Sequence, residues 1–268
     1  MQKGIYNEWL TEKRFGICRL SLLSLYREPV IGSGITSQLL FGETYIVAAV
    51  SEDRLWFFVN GHAHAGSGWM PASQHDEISE QVFDQFNQTP FRVTTSVSII
   101  RQKGAHVHLL PGSNIYASSG ELFDWKTTMD FKGESRPFEE KTGRQGVVDI
   151  AKNFLHTPYL SGGRSLFGLY EASLFHLVFK IGGYIIPNYL SSLIAHGQEI
   201  QPEAIQMGDL IVFGNEIGIP NRLALYLGDG EMMAVNGKVS ISRFDPEKRR
   251  QGMSDKYSVL YAKNLFLR

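Results

Sequence analysis

The sequence predicts a multidomain chain in which two small all-β barrels precede an α+β domain. Its 268 residues suffice for two or three compact units, since domains usually run to roughly 100–150 residues. Strand and turn patterns fill the first 140 residues, whereas helical patterns and then a run of strands follow residue 145. We expect a first barrel with an N-terminal extension at 1–75, a helical linker at 76–90, a second barrel at 91–140 and the α+β domain at 145–268.

The first barrel is predicted from short apolar segments bounded by turn residues. Alternation of apolar and polar residues is typical of half-buried strands, and four short strands over about sixty residues favour a small closed sheet. An Asn-Gly pair after the third segment is a strong turn signal. The segments cover residues 15–26, 38–50 with a break at Gly42, 55–59 before the turn at Asn60-Gly61, and 68–71.

The linker and the second barrel are predicted from a change in the spacing of apolar residues, from helical to strand-like. Ile78, Val82, Phe83 and Phe86 fall at helical spacing within residues 76–88. Strand patterns then return. The second block includes a strand at 93–100, a turn at 111–114 and a strand at 115–117.

The α+β domain begins with amphipathic helices. Apolar residues recur at i, i+3, i+4, i+7 and i+8 from Val147 to Leu155, and Pro158 follows this helix. A second helix over 171–180 is apolar on most sides, which is typical of a helix buried in a core. A shorter helix is expected at 189–195. Strands are then expected at 209–214, 223–230, 232–237, 238–241 and 258–262, with Asn236-Gly237 as a hairpin turn.

Composition excludes several classes of protein. The 26 basic and 27 acidic residues nearly cancel, so a nucleic-acid surface is not expected. No apolar run reaches the roughly 18–20 residues of a membrane span, and no signal peptide is visible. We therefore expect a cytoplasmic protein by default, or a periplasmic or cell-surface one if a leader was removed. A single cysteine, Cys18, can make neither an internal disulfide nor a thiolate zinc site, and no cofactor is expected.

Four ordered motifs in the second half carry a family resemblance. Residues 157–169 read TPYLSGGRSLFGL, 205–213 read IQMGDLIVF, 223–230 read LALYLGDG and 235–239 read VNGKV. Together they resemble the NlpC-type cell-wall peptidases, a papain-like family of bacterial thiol hydrolases. The first half is similar to the bacterial SH3-like domains that often precede such peptidases. The combination resembles enzymes that cut γ-D-glutamyl–diamino-acid bonds in muropeptides.

The catalytic positions implied by this resemblance are degenerate. The family places a cysteine at the start of its central helix, where the helix N-terminus and a nearby histidine favour the thiolate. Glu171 stands at that position, Arg222 replaces the histidine base and Ala234 replaces the third polar residue. We therefore predict that the chain is not an enzyme.

The resemblance also locates a former substrate cleft. Its Asp and Ser beside the cysteine, which help to hold the free amine of the substrate, correspond to Tyr170 and Ala172. Its loop tryptophan corresponds to Ser161, and a barrel tyrosine falls near Gly66. With Ser173 and Arg164, these residues form the predicted ligand-binding set.

Glu171 and Arg222 have three interpretations. They form a structural salt bridge across the former active site, they are two unrelated solvated side chains, or they make a new acid–base site. We favour the salt bridge, because a carboxylate suits a helix N-terminus and the pair replaces a thiolate–imidazolium pair. Charged groups lying far beyond about 4 Å from each other would contradict it.

The remaining cysteine and histidines favour structural roles. Cys18 lies in the opening strand of the first barrel and is expected to be a small core residue. His62 and His64 lie in a loop without acidic or Cys partners, and His106 and His108 share one strand face without a third ligand. His176 is expected at the edge of the core. No metal site is therefore predicted.

The sequence thus favours a pseudoenzyme that binds a cell-wall peptide or a protein partner, without nucleic acid. The alternatives are an active muropeptide hydrolase with rearranged residues and a structural interaction module with a closed cleft. Oligomeric state is not predicted.

Overall fold

The computed structural model describes residues 8–102, 105–116, 130–245 and 258–266. The chain divides into two compact units, Met1–Glu139 and Glu140–Arg268. Within the described residues, no helix combines the length and apolar character needed to cross a membrane.

A seven-stranded antiparallel sheet dominates the first unit. Its strand order is β3-β2-β6-β5-β4-β1-β7, and its apolar residues form a buried cluster that includes Leu23, Leu39 and Val59. The strands are β1 (Glu8–Ile17), β2 (Leu22–Tyr26), β3 (Ile35–Leu40), β4 (Thr44–Val50), β5 (Trp56–Gly61), β6 (Gly66–Pro71) and β7 (Glu77–Ile78).

Two details of the segment predicted as the first barrel were predicted wrongly. The single strand expected at 15–26 is two strands, since β1 ends at Ile17 and β2 begins at Leu22. Asn60 and Gly61 lie inside β5, paired with Ser67 and Gly66, and do not form the turn. The chain reverses through a 3-10 turn at His62–His64, because Ala63 and His64 themselves adopt positive φ angles of 49° and 63°.

A helix and two small sheets complete the first unit. Helix α1 (Glu80–Gln88) is capped by the Ser79 hydroxyl, which accepts the Val82 N–H at 3.3 Å, and it buries Phe83 and Phe86. The predicted strand at 93–100 is interrupted at 95–97. The further strands are β8 (Arg92–Thr94), β9 (Ser98–Gln102), β10 (Ala105–Leu109), β11 (Asn114–Ile115), β12 (Asp130–Lys132) and β13 (Ser135–Pro137), in the sheets β10-β9-β12 and β11-β8-β13.

Gly42, where the break between β3 and β4 was predicted, provides a test of backbone geometry. Its φ is +80°, and a Cβ there would overlap the backbone carbonyl of Asn114. We expect Gly42→Ala to lower the free energy of unfolding by about 3 kcal/mol, since it adds left-handed strain to a steric clash. Gly32→Ala is the matched control: φ is +96° but the space is open, so a loss of about 1 kcal/mol is expected.

Tryptophan fluorescence during urea unfolding measures both changes, because all four tryptophans lie in the first unit. Equal losses for the two variants would show that the contact with Asn114 contributes nothing.

The second unit places helices beside a six-stranded antiparallel sheet of order β16-β21-β17-β18-β19-β20. Every residue of α3 is buried, as its apolar composition predicts. The helices are α2 (Gly143–Lys152), α3 (Glu171–Ile181) and α4 (Leu190–Ala195). The strands are β14 (Arg164–Ser165), β15 (Gly168–Leu169), β16 (Gln198–Ile200), β17 (Leu210–Gly214), β18 (Pro220–Gly228), β19 (Glu231–Asn236), β20 (Lys238–Arg243) and β21 (Ser258–Asn264).

Most predicted elements of this unit are present, with shifted ends. Helix α2 ends at Lys152 and not at Leu155, and β18 begins at Pro220, three residues before the predicted start. Asn236 pairs with Lys238 across Gly237, whose φ is +68°, so the predicted hairpin turn is confirmed. The mixed-charge segment 243–250, whose sequence favours a solvated turn, lies mostly at 246–250, outside the described residues.

Candidate functional site

The N-terminus of α3 positions Glu171. The short β14–β15 hairpin leads the chain to Tyr170, whose N–H donates to the Gly163 carbonyl at 2.9 Å and whose extended backbone precedes the helix. Glu171 is therefore the first residue of a helix that is buried throughout. Its carboxylate lies where the helix dipole favours negative charge.

Strand β18 provides both partners of this carboxylate. Arg222 donates from Nη1 to Oε2 of Glu171 at 3.1 Å, and the Leu223 N–H donates to Oε1. The predicted salt bridge is confirmed. Its two ends differ in exposure: the Glu171 side chain is 4% exposed, whereas the Arg222 side chain is 36% exposed.

Burial changes the acid strength of Glu171. Desolvation raises the pKa of its carboxyl to about 7, against the opposing effects of the Leu223 N–H and the Arg222 guanidinium. Burial also raises the pKa of the neighbouring Tyr170 phenol. Glu171 therefore exchanges its proton near neutral pH while both of its oxygens are hydrogen-bonded.

Ala234, the third degenerate position, lies in β19 opposite Ser240. Its methyl group is buried in an apolar cluster with Phe213, Met232 and Phe244. A methyl group can neither accept a proton nor orient a base. The structure thus joins Glu171 to Arg222 and gives Ala234 a packing role.

A pocket of about 390 Å³ adjoins the ion pair. The segment after α2 forms part of its wall, because the Tyr159 N–H donates to the Gly237 carbonyl at 2.8 Å at the β19–β20 turn. The rings of Tyr159 and Tyr170 meet edge to face with centroids 6.5 Å apart. The lining residues are Tyr159, Tyr170, Glu171, Leu190, Asn221, Arg222, Val235, Asn236 and Gly237.

Only part of the predicted ligand-binding set lines this pocket. Tyr170 does. Ala172 and Ser173 are buried within α3, and Ser161 is exposed outside the lining. Gly66 lies in β6 of the first unit, where it pairs with Gly61.

Arg164 cannot contact a ligand in the pocket, because its side chain is fully buried. Its Nη2 donates to Nε2 of His176 at 2.9 Å, and Nδ1 of His176 donates to the Ile186 carbonyl at 2.7 Å. A guanidinium only donates and a carbonyl only accepts, so the imidazole carries its proton on Nδ1. The ligand-binding role predicted for Arg164 is therefore wrong: this buried pair joins β14 to α3.

Sequence reasoning missed most of the lining. Asn221 stands directly before Arg222, and its Oδ1 is buried without a hydrogen-bond partner among the described residues. Asn236 and Gly237 were predicted only as a turn. Tyr159 belongs to the motif at residues 157–169, so its place in that motif could have identified it as a lining residue. Leu190 and Val235 carry no signal that separates them from other apolar residues.

The other candidate residues lie elsewhere. The core position predicted for Cys18 is confirmed, since it is buried beside Leu23 and Leu39 in the first unit. His62 and His64 form the 3-10 turn, and His106 and His108 are exposed on β10. Within the described ranges, no group of three His, Cys, Asp or Glu side chains could hold a metal ion.

A buried helix whose N-terminus contacts an antiparallel sheet, beside a pocket, defines a papain-like α+β domain. Comparison with known families agrees, since residues 156–257 match the NlpC/P60 family. The second unit therefore contains an NlpC/P60 family domain. The resemblance drawn from the four motifs is confirmed.

Two curated relatives cover most of the chain. A dipeptidyl-peptidase 6 of Lysinibacillus sphaericus is 24% identical over 77% of this chain and 82% of its own length. A gamma-D-glutamyl-L-lysine dipeptidyl-peptidase of Bacillus cereus is 33% identical over 74% of this chain and 66% of its own length.

Solved structures share the fold. An NlpC/P60 family protein from Bacillus cereus superimposes with a TM-score of 0.78 at 19% identity, over 96% of this chain and 100% of its own. An NlpC/P60 endopeptidase from Photobacterium damselae gives a TM-score of 0.67 at 15% identity, over 92% of this chain and 70% of its own. At these identities the likeness establishes fold alone.

Proposed function

We propose that this chain is a catalytically inactive member of its family that binds a peptide in the pocket beside Glu171. The observation that carries the proposal is the state of Glu171. It stands where the family resemblance places a nucleophilic thiol, and both of its oxygens are held, by Arg222 and by the Leu223 N–H.

The chemistry of the three positions supports inactivity. Peptide hydrolysis by a cysteine nucleophile needs a thiolate and a base that titrates near neutrality. Arg222 cannot act as that base, because a guanidinium does not lose its proton in proteins. Ala234 has no polar side-chain atom, and the only cysteine is buried in the first unit.

An active hydrolase with rearranged residues is the second candidate. The observation in its favour is the pKa of Glu171, which burial raises to about 7, a value suited to general acid–base catalysis. Against it stand the 4% exposure of the side chain and the hydrogen bonds to both oxygens. A closed interaction module is disfavoured by the pocket volume of about 390 Å³.

The relatives suggest the kind of ligand. The Bacillus cereus relative and a second relative from Bacillus subtilis are both named for gamma-D-glutamyl-L-lysine. We extend that peptide class to this pocket, with a protein segment as the alternative. In this proposal the first unit corresponds to two SH3-like barrels, at 1–75 and 91–140. The compartment proposed is the cytoplasm, or the periplasm or cell surface if the chain is exported.

The test measures hydrolysis and binding of the tripeptide L-Ala-γ-D-Glu-L-Lys. We expect no release of lysine by mass spectrometry and a measurable heat of binding by calorimetry. An active dipeptidyl-peptidase relative is the positive control. Release of lysine that disappears in Glu171→Ala would overturn the proposal in favour of the rearranged hydrolase.

A variant with Glu171→Cys, Arg222→His and Ala234→His belongs in the same assay. We expect it to remain inactive. Ala234 is buried in an apolar cluster, so an imidazole there requires its neighbours to repack, and Tyr170 and Ala172 still occupy the positions of the amine-holding residues. Strong activity of this variant would show that the three replacements alone account for inactivity.

A further inference from the structure

The ion pair presents only one of its two charges to the pocket. The Glu171 carboxylate is 4% exposed, and both of its oxygens accept hydrogen bonds from β18. The Arg222 side chain is 36% exposed and lines the pocket. A ligand that enters therefore meets the positive end of the pair, while the negative end is covered.

The rest of the lining does not restore a negative charge. Among the described residues that line the pocket, Glu171 is the only carboxylate. Tyr159, Tyr170 and Asn236 contribute neutral side chains that can donate hydrogen bonds, and Tyr159 is 45% exposed. An ammonium group would thus meet a guanidinium with no accessible anion, which is an unfavourable contact.

We propose that the pocket selects its peptide by a carboxylate, bound by Arg222 beside the Tyr159 and Tyr170 rings, and not by a free amine. This inference rests on the proposed function, because it names the chemical group by which the bound peptide is recognised. A guanidinium is well suited to the role, since its planar fork matches the two oxygens of a carboxylate. The aromatic rings supply apolar surface for the adjoining part of the peptide.

Glu171 acts in this scheme as a competitor for Arg222. The charged Glu171 carboxylate pairs with the Arg222 guanidinium, and this interaction weakens when Glu171 is protonated. Among the described residues, Arg222 on β18 and the phenol of Tyr170 are the charged or titratable groups that interact with Glu171, and Tyr159 contacts Tyr170 in turn. Because burial raises the pKa of Glu171 to about 7, carboxylate binding should strengthen as the pH falls from 8 to 6. A peptide carboxylate stays ionised in that range, with a pKa of about 4.

The experiment uses the full chain and four forms of L-Ala-γ-D-Glu-L-Lys: unmodified, N-acetylated, amidated at the lysine carboxyl, and amidated at the glutamate α-carboxyl. Calorimetry gives Kd for each. We expect N-acetylation to change Kd less than about twofold and one of the amidations to weaken binding at least about tenfold. The amide that has this effect identifies which carboxylate binds.

Glu171→Gln is the decisive variant, because the expected change is a gain. The amide still accepts the Leu223 N–H but no longer neutralises Arg222, so the unmodified peptide should bind about threefold to tenfold tighter at pH 8, with Kd independent of pH. Structural damage would weaken binding instead. Arg222→Gln should abolish the difference between acid and amide peptides. Glu199→Gln, an exposed carboxylate on β16 outside the lining, is the matched control and should leave Kd unchanged.

The outcomes separate this inference from the function on which it rests. Binding that N-acetylation abolishes and neither amidation affects overturns the carboxylate assignment while the pocket remains a peptide site. Equal affinity for all four peptides overturns it as well. If none of the four binds, both the peptide-binding function and the inference fail.

Discussion

Replacing Arg222 by leucine is expected to lower the free energy of unfolding of the second unit by about 3 kcal/mol at pH 8, and by clearly less at pH 5. The loss arises because Glu171, buried at the start of α3, is left without its charged partner. The value lies at the lower end of the range for broken buried pairs, since the Arg222 side chain is 36% exposed and partly screened.

The sign of the pH dependence follows from the direction of the pKa shift. Burial raises the folded-state pKa of Glu171 from 4.5 to about 7, so the folded chain binds this proton more tightly than the unfolded chain. The stabilising contribution is complete below the unfolded pKa and is lost as the pH rises through about 7. At pH 5 the Glu171 carboxyl is neutral with or without Arg222. The Arg222→Leu substitution therefore lowers the free energy of unfolding by less.

The double variant Glu171→Leu with Arg222→Leu is the control. Apolar replacement of both members of a buried pair is often neutral or stabilising, so we expect a value within about 1 kcal/mol of the parent chain at both pH values. Urea unfolding followed by circular dichroism at 222 nm reports mainly on the second unit, because three of the four α-helices among the described residues, α2, α3 and α4, lie there. Equal losses at pH 5 and pH 8 for the single variant would contradict a role for the buried charge.

The second unit could be predicted in most of its elements because its local patterns agree with its tertiary environment. Helix α3 is apolar on nearly every side and is buried on every side. The Asn236-Gly237 turn could be predicted from its Asn-Gly pair, because a short left-handed link at Gly237 is what joins β19 to β20. The Glu171–Arg222 pair was predicted through the family motifs, since the two residues are 51 positions apart in sequence.

The seven-stranded sheet of the first unit shows where local signals fail. Asn60-Gly61 is a strong hairpin signal, yet both residues extend β5 because their pairing with Ser67 and Gly66 lengthens the ladder. The reversal falls on Ala63 and His64, and alanine carries no sequence signal for positive φ. A choice between two adjacent turns depends on strand register, and register is set by partners distant in sequence.

The pocket lining was largely beyond sequence reasoning for a similar reason. Tyr159, Asn221 and Asn236 come from three separate segments that meet only after folding. Arg164 was assigned to the cleft because it lies in the glycine-rich motif. Its side chain is instead buried against His176, and nothing in a single sequence shows which way a loop arginine turns.

Asp209→Ala is expected to destabilise the second unit by about 4 kcal/mol, the largest effect predicted for a single substitution here. Oδ1 of the buried Asp209 accepts Nη1 of Arg144 at 2.6 Å, and Oδ2 accepts the Gln206 N–H at 2.8 Å. Desolvation by burial raises the pKa of Asp209, so Arg144 and the Gln206 N–H offset only part of the cost of burying its charge. Removing the carboxylate leaves the Gln206 N–H without its acceptor and takes away the charged partner of Arg144, which keeps its hydrogen bonds to the Met207 carbonyl and to Oδ1 of Asn264.

Two further variants separate the charge from the hydrogen bond. Asp209→Asn keeps an acceptor for the Gln206 N–H but places a neutral amide against Arg144, so we expect a loss of about 2 kcal/mol. Glu199→Ala removes an exposed carboxylate 3.8 Å from Lys263 in the same unit, and its loss should stay within about 0.5 kcal/mol. If Asp209→Asn matches the parent chain, the ion pair with Arg144 contributes little and the hydrogen bond to Gln206 carries the effect. If Asp209→Asn loses as much stability as Asp209→Ala, the charge of Asp209 accounts for the effect, because a neutral acceptor for the Gln206 N–H has then not stabilised the segment before β17.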